Sequence, residues 1–310
     1  MKTVVIGLGN IGLKYDIHSK NIETHCKSII KNPNFNLIAA SDTNLDNCLK
    51  FSKKYKLPFY KDFKQMILDH EPEFIIISVN TSSHLKIIRG ILGLTLPKLI
   101  LCEKPIGKNF IENQEIVKLC KKNNIKLFSN YIRVADKSTI QFSNLLYKNF
   151  LSHKSLKGII FYSKGIKNTC SHYIFFLISL FGNPTKIVPD GDKNRINSFD
   201  YNVNFTLYFK QTSFSFISFS KYNYELSEMK IFSKKMILNY KDGGKKIYLK
   251  KFDKNKKTKK IILDNTLQNY QLNYLNYIYH NMNKKKLLED NIKKYTLTMK
   301  IIDKILYVKK

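Results

Sequence analysis

Arginine is scarce in this chain. Of 54 basic residues only Arg89, Arg133 and Arg195 are arginine and 51 are lysine, against 23 acidic residues and a formal net charge of +31. Recognition of phosphates and base edges leans on the planar guanidinium fork. A basic surface built from lysine therefore reads as a solvated face rather than a nucleic-acid interface. The densest stretch, Lys241 to Lys260, holds ten lysines and no aromatic platform spaced for stacking bases. Long hydrophobic runs are missing too. The nearest, Tyr173 to Phe181, stops at Gly182-Asn183-Pro184, well short of the ~18 residues of a membrane helix. The apolar start is broken by Gly7, Gly9, Gly12 and Lys14, with no small-residue cleavage site after it, so no signal peptide is expected. The five cysteines are odd in number and form no C-x-x-C pair. Reduced thiols in a cytoplasmic protein are expected, and no metal site, because the histidines lack ligand spacing to the cysteines.

With 310 residues, 43% hydrophobic and 25% charged, the chain has the length of two domains of ~150 residues each. We place the boundary at 131/132. Residues 1–131 alternate strand and helix. Strands are expected at Lys2–Ile6, Leu37–Ser41, Glu73–Val79, Lys98–Cys102 and Ile125–Ser129. A helix with the stripe Leu85, Ile88, Leu92 and another capped by the Asn109/Glu112 pair lie between them. Such alternation gives a doubly wound parallel sheet, the Rossmann class of α/β fold. Residues 132–310 read differently, as an α+β domain with a large, open, mostly antiparallel sheet. A helix near 138–150, a strand Lys157–Ser163 and a helix Tyr173–Phe181 precede a β-rich block. In that block Val203, Phe205, Leu207 and Phe209 alternate with Asn204, Thr206 and Tyr208, and further strands follow to Phe252. Two helices finish the chain, with stripes Tyr270, Tyr274, Ile278 and Ile292, Tyr295, Met299, Ile302. The outward face of this sheet reads as rich in tyrosine and phenylalanine, so a homodimer or homotetramer formed through it is expected.

Chemistry first appears at Gly7-Leu8-Gly9-Asn10-Ile11-Gly12, directly after the first strand. This G-x-G-x-x-G turn lets a pyrophosphate approach the backbone at a helix start. Asp42, at the end of the second strand, is the acid expected on the cofactor's ribose, favouring NAD over NADP. It lies 30 residues beyond Gly12, more than the usual ~20. The excess is assigned to Leu13–Asn21, read as an insertion that is either a surface loop or a flap using Tyr15, Asp16 or His18. Ligands in such sheets bind beyond the carboxyl ends of the strands. Three polar clusters fall there: Asn80-Thr81-Ser82-Ser83-His84, Glu103-Lys104-Pro105, and Asn130 with Arg133.

At Glu103-Lys104-Pro105 the sequence resembles the Gfo/Idh/MocA oxidoreductases, named after glucose–fructose oxidoreductase and inositol dehydrogenase. The resemblance extends to Gly165–Gly182. Around Thr24-His25-Cys26-Lys27 it is similar to members from bacterial surface-glycan pathways that act on sugars or sugar nucleotides. It implies that Lys104 bonds the reacting hydroxyl and assists its proton transfer. Glu103 would position Lys104 against the cofactor, and Pro105 would fix the turn, with a cis peptide. His172, from the second domain, would be the general acid/base, a task suited to imidazole near neutral pH. Asn168, Arg133 and Tyr15 are the candidate substrate contacts. Gly7, Gly9, Asn10, Ile11, Gly12, Asp42, Asn80, Thr81, His84, Glu103 and Lys104 are the candidate cofactor contacts, although His84 also suits a purely structural role as a helix cap. The chain departs from the family's Asp-x-Gly-x-His stretch at Asn168 and Cys170, and from a common acid at Phe175. An amide orients but cannot take a proton, so catalysis would rest on Lys104 and His172. The expected function is NAD-dependent hydride transfer at a hydroxyl or keto carbon of a sugar or sugar nucleotide. The alternative is an NAD-binding sensor or partner protein with impaired catalysis.

Overall fold

The computed structural model describes residues 1–153, 156–219, 224–253 and 257–307, with backbone alone at 149–153. It divides into two compact units, Met1–Ile132 with Gln268–Thr296, and Arg133–Leu267 with Leu297–Lys310.

The first unit is built on six parallel strands: β1 (Lys2–Ile6), β2 (Asn36–Ser41), β3 (Phe59–Tyr60), β4 (Phe74–Ile77), β5 (Leu99–Cys102) and β6 (Lys126–Ser129). Their order is β3-β2-β1-β4-β5-β6. Val4, Val5, Ile75, Ile76, Ile100 and Leu101 are fully buried, because helices cover both faces of a parallel sheet. The helices are α1 (His25–Ile30), α2 (Leu45–Tyr55), α3 (Phe63–His70), α4 (His84–Leu92) and α5 (Phe110–Lys122). Several start as the side chains dictate. Asn44 Oδ1 accepts from the Asn47 N–H at 3.2 Å, and Asn109 Oδ1 from the Glu112 N–H at 2.9 Å. The Glu112 carboxylate reaches back to the Lys108 N–H at 3.1 Å, completing a near capping box. On α4 the buried face is Ile87, Ile88 and Ile91, not the expected Leu85–Ile88–Leu92 stripe. The helix begins at His84, whose buried ring sets its rotation. Strand β3 escaped the sequence reading because two residues carry no periodicity.

The second unit holds eight strands: β7 (Leu156–Tyr162), β8 (Lys186–Arg195), β9 (Tyr201–Phe209), β10 (Thr212–Ser218), β11 (Ser227–Ser233), β12 (Met236–Lys241), β13 (Lys246–Phe252) and β14 (Thr258–Leu263). They are ordered β14-β13-β12-β11-β7-β10-β9-β8, antiparallel apart from the β7–β10 pair. Strands β8 and β14 were not expected. Both are edges, one carrying Pro189 and Gly191, the other Lys259 and Lys260, which are the residues that protect edges rather than mark strands. In the Lys241–Lys260 run, Lys246, Lys250 and Lys251 are exposed on β13 and Lys259 and Lys260 on the edge strand β14, with residues 254–256 outside those described. The alternation on β9 and β10 turns Phe205, Leu207, Phe214 and Phe216 inward, with Phe205 and Phe216 stacked at 4.2 Å. The outward rows there are Asn204, Thr206, Ser213 and Ser215, so the aromatic richness expected of that face belongs mostly to the core. Exposed apolar groups remain at Tyr208, Phe232 and Ile262.

Helices α6 (Lys137–His153) and α7 (Ser171–Phe181) belong to this unit. Asp136 anchors the first. Its Oδ2 accepts from Ser138 Oγ, Thr139 N and Thr139 Oγ1, and its Oδ1 from Thr266 N and Oγ1, all at 2.6–2.9 Å. Burial alone would raise this carboxyl, but the bonds from Ser138, Thr266 and Thr139 outweigh it and hold it below its ordinary value. A depressed acid stabilises the fold above its unfolded pKa of about 4, and that stabilisation is lost as pH falls through the folded value. Asp136→Ala is expected to cost about 3 kcal/mol in denaturant unfolding at neutral pH, and less at pH about 3. Equal losses at both would refute the ionic role.

The last helices are α8 (Tyr270–Asn281) and α9 (Lys285–Tyr307). They were expected in the second domain, but residues 268–296 group with the first unit. The Ile22 N–H donates to the Gln268 carbonyl at 2.8 Å, Asn32 Nδ2 to Asn276 Oδ1 at 2.8 Å, and the Tyr274 hydroxyl to the Ser129 carbonyl. An amphipathic stripe says that a helix packs, not on which sheet.

Candidate active site

In the first unit the strand order reverses at β1, which has β2 on one side and β4 on the other. A crevice opens beyond the strand ends at such a point. The turn after β1 fills it, and its three glycines answer to different constraints. Gly7 has φ +100°, and a Cβ there would lie 2.7 Å from the Ser78 carbonyl oxygen. A Cβ on Gly12 would lie 2.1 Å from the Gly7 carbonyl oxygen. Protein packing thus demands glycine at both. At Gly9 a Cβ would meet nothing within 4 Å, so no contact inside the protein explains this glycine. This is the position of the glycine fingerprint at which the backbone can approach a pyrophosphate. Asn10 and Ile11 open a helical turn, Asn10–Lys14, beside this open face, and N–H groups at a helix start lack intrahelical partners.

The turn is latched on both sides. The Gly7 N–H donates to the Ser41 carbonyl at 2.8 Å, and Ser78 Oγ donates to the Gly7 carbonyl at 2.7 Å. Asp42 Oδ2 accepts from the Leu8 N–H at 2.6 Å and from Asn47 Nδ2 at 3.2 Å, while Oδ1 accepts from the Asn44 N–H at 2.8 Å. The carboxylate is therefore fixed, and Asp42 lines a cavity of about 320 Å³. Thr43, Val79 and Ser83 line that cavity with Lys61, Lys64 and Lys86. The three lysines are exposed.

Glu103 and Lys104 follow β5 directly. The Glu103 N–H donates to the Ile77 carbonyl at 2.9 Å, and the Lys104–Pro105 peptide is cis. Glu103 Oε1 accepts from Asn130 Nδ2 at 2.6 Å and pairs with His25 Nε2 at 2.8 Å. Burial alone would raise this carboxyl, but His25, Lys104 and Asn130 outweigh it and hold it below its ordinary value. His84 is fully buried. Its Nδ1 meets the Ile106 carbonyl at 3.0 Å and its Nε2 the Val79 carbonyl at 3.1 Å, and burial pushes its pKa down. It ties the loop after Pro105 to the segment that follows β4. Asn80 is exposed at the start of the Thr81–Ser83 turn, and Thr81 is buried.

The insertion after the turn divides in function. Asp16 is buried and accepts from Glu23 N, Thr24 N and Thr24 Oγ1 at 2.7–2.9 Å, so it braces the start of α1. That removes it from the expected flap. Tyr15 and His18 remain on the surface.

In the second unit, Asn168 and His172 sit on and after the helical turn Gly165–Cys170. Asp200 holds this turn, accepting the Lys167 N–H at 2.9 Å and the Asn168 N–H at 3.1 Å. Burial pushes the Asp200 carboxyl up. Gly165 has φ +93°, and a Cβ there would strike the same carboxylate at 2.1 Å. Asn168 is exposed and His172 half-buried, whereas Cys170 and Phe175 point into the core. Two of the three departures from the family's pattern are thus packing residues. Arg133 Nε donates to the Gly243 carbonyl at 3.1 Å, and its guanidinium lies over the Tyr173 ring at 5.9 Å. Among the described residues no group of acids, histidines and cysteines could hold a metal, and no helix is long and apolar enough to cross a membrane. The five cysteines are free and buried.

Sequence reasoning missed Ser78, Asp200 and the pairing of His25 with Glu103. His25 stands in a quoted segment, but 78 residues separate it from its partner, and no spacing rule spans that distance.

This geometry is that of a dinucleotide-binding domain. Residues 1–131 match the model of the oxidoreductase family with the NAD-binding Rossmann fold. Those residues are similar to the N-terminal domain of the Gfo/Idh/MocA oxidoreductases. The myo-inositol 2-dehydrogenase of Thermotoga maritima is 27% identical over 139 residues, which are 44% of this chain and 38% of that protein. The chain thus matches about two fifths of the length of its curated relatives. The full fold recurs in solved structures. A dehydrogenase from Chromobacterium violaceum superposes with TM-score 0.77 at 11% identity, covering 99% of this chain and 94% of that one. An oxidoreductase from Agrobacterium radiobacter, in complex with NAD+, L-tartaric acid and magnesium, gives 0.72 at 14%, covering 100% and 97%.

Proposed function

We propose that the protein is an NAD-dependent oxidoreductase exchanging hydride between nicotinamide and a ring carbon of a cyclic polyol, sugar or sugar nucleotide. The observation that carries this is Glu103-Lys104-Pro105 directly beyond β5, in the same unit as a glycine turn whose Gly9 face is open. Gly7 to Gly12 and Asp42 would hold the dinucleotide, which when bound supplies the hydride acceptor or donor. Lys104 donates a hydrogen bond to the reacting oxygen. His172 takes or returns the proton, its ordinary pKa lying near neutrality. Asn168, with Arg133 and Tyr15, orients the sugar. A role in surface-glycan synthesis, a cytoplasmic location and assembly through the second-unit sheet complete the proposal. A screen of cyclic polyols, free sugars and nucleotide sugars with NAD+, following nicotinamide absorbance, tests it.

A second reading, an NAD-binding protein with impaired catalysis, is favoured by Asn168, an exposed amide where the family's acid is expected. Tight NAD+ binding with no turnover across that screen would select it.

Cofactor choice gives a separate prediction. A carboxylate at Asp42 would repel a 2′-phosphate, while Lys61, Lys64 and Lys86 are exposed and their pull is screened by salt. NAD(H) is expected to bind at least about tenfold more tightly than NADP(H). Asp42→Ser should move the ratio toward NADP(H), because the lysines remain. Fluorescence titration of both cofactors decides, and an unchanged ratio in Asp42→Ser would rule the assignment out.

A further inference from the structure

The Glu103 carboxylate is surrounded by donors. Oε1 faces His25 Nε2 and Asn130 Nδ2, and Oε2 accepts the Lys104 N–H at 3.3 Å. An ionised carboxylate accepts all three when His25 carries its hydrogen on Nε2, whereas a protonated one would find an acceptor only in a bare Nε2. His25 is fully buried, and its Nδ1 has no hydrogen-bond partner. A buried imidazole carrying its hydrogen on Nε2, toward the acid, is the arrangement that satisfies Glu103.

The ring is itself held from behind. Asp16 fixes Thr24 through both N–H and Oγ1, and Thr24 caps the helix that begins at His25. The chain Asp16–Thr24–His25–Glu103 therefore runs from the insertion to the residue before Lys104. The other titratable groups facing Glu103 are Lys104, Cys102, His84 and, from α8, Tyr270 and Tyr274. Burial pushes the thiol and both hydroxyls up and His84 down, which keeps those four uncharged near neutrality.

We propose that His25 is the positioning residue of the Glu103–Lys104 pair, holding Glu103 anionic and in place behind Lys104, with the Leu13–Asn21 insertion serving to seat His25. Its catalytic consequence rests on the oxidoreductase reading, but its electrostatic core does not. Two-bond proton–nitrogen spectra of ring-labelled protein, assigned with His25→Gln, should find the His25 hydrogen on Nε2 at neutral pH. A bare Nε2 would overturn the proposal. With labelled glutamate, the Glu103 carboxyl should titrate below about 4.3, the ordinary value, in the parent. In His25→Leu it should rise by about one pH unit or more, and in His25→Gln, whose amide reaches the same oxygen, it should return most of the way. An unchanged titration in His25→Leu would also overturn it. If that variant does not fold, the parent spectrum and the His25→Gln titration decide. With myo-inositol as the probe, kcat should fall about tenfold or more in His25→Leu, with KM for NAD+ unchanged and kcat restored by glutamine. A parent inert to every polyol and sugar would count against the oxidoreductase reading, leaving the two spectroscopic outcomes to judge His25.

Discussion

Replacing Lys104 with methionine is expected to lower turnover by ~10²- to 10⁴-fold, the range for removal of a general acid–base group, while NAD(H) affinity stays within a few fold. Methionine keeps the length and the apolar stem but removes the charge and all three donors. Lys104 follows the carboxyl end of β5, whereas the pyrophosphate is assigned to the turn after β1. The two functions therefore separate by position in the sheet. The Glu103 N–H on the Ile77 carbonyl holds this loop through the main chain, so the substitution leaves it in place. Initial rates and cofactor titrations on the same preparation check both halves. Near-parental turnover would remove Lys104 from the chemistry, and a parallel loss of NAD(H) affinity would make it a cofactor ligand instead.

The second large effect is expected at the glycine turn, where two neighbouring substitutions should fail in different ways. Gly9→Val places its Cβ where no part of the protein beyond the chain neighbours lies within 4 Å. Its melting temperature should match the parent's. NAD(H) affinity should fall about ten- to a hundredfold, because each backbone bond lost to a charged phosphate is worth about 1.5–3 kcal/mol. Gly12→Ala drives a Cβ to 2.1 Å from the Gly7 carbonyl oxygen, and both atoms are anchored by the main chain. A loss of stability of about 2 kcal/mol or more is expected, with binding falling as a consequence. Thermal unfolding with and without NAD+ separates the two. If Gly9→Val binds NAD(H) normally, the open face of the turn is not a phosphate site.

The cofactor half of this picture was legible from local signals. Gly7-x-Gly-x-x-Gly, a strand before it and Asp42 at the next strand end all act within a short stretch of chain. The acid–lysine–proline triplet was legible only because it resembles a family pattern, since a lysine at a strand end is usually solvated. What stayed hidden depends on long-range closure. Nothing near His25 announces Glu103, and nothing near Gly165 announces Asp200. The α8 stripe reads the same whichever unit it packs on. The inward turn of Phe205 and Phe216 follows from alternation, but which row faces the helices does not. Cys170 and Phe175 looked like losses at the site and prove to be core residues, because a motif aligned by sequence does not say which side chains point inward.

The central claim, hydride transfer by a bound nicotinamide, is tested most directly by isotope transfer. The protein is incubated with NAD+ and cyclic polyols or sugars deuterated at the carbinol carbon, beginning with myo-inositol, and the NADH is analysed by mass spectrometry. Our account predicts deuterated NADH from at least one substrate, abolished or strongly reduced in Lys104→Met. Saturable NAD+ binding without deuterium transfer from any member of the panel would contradict it.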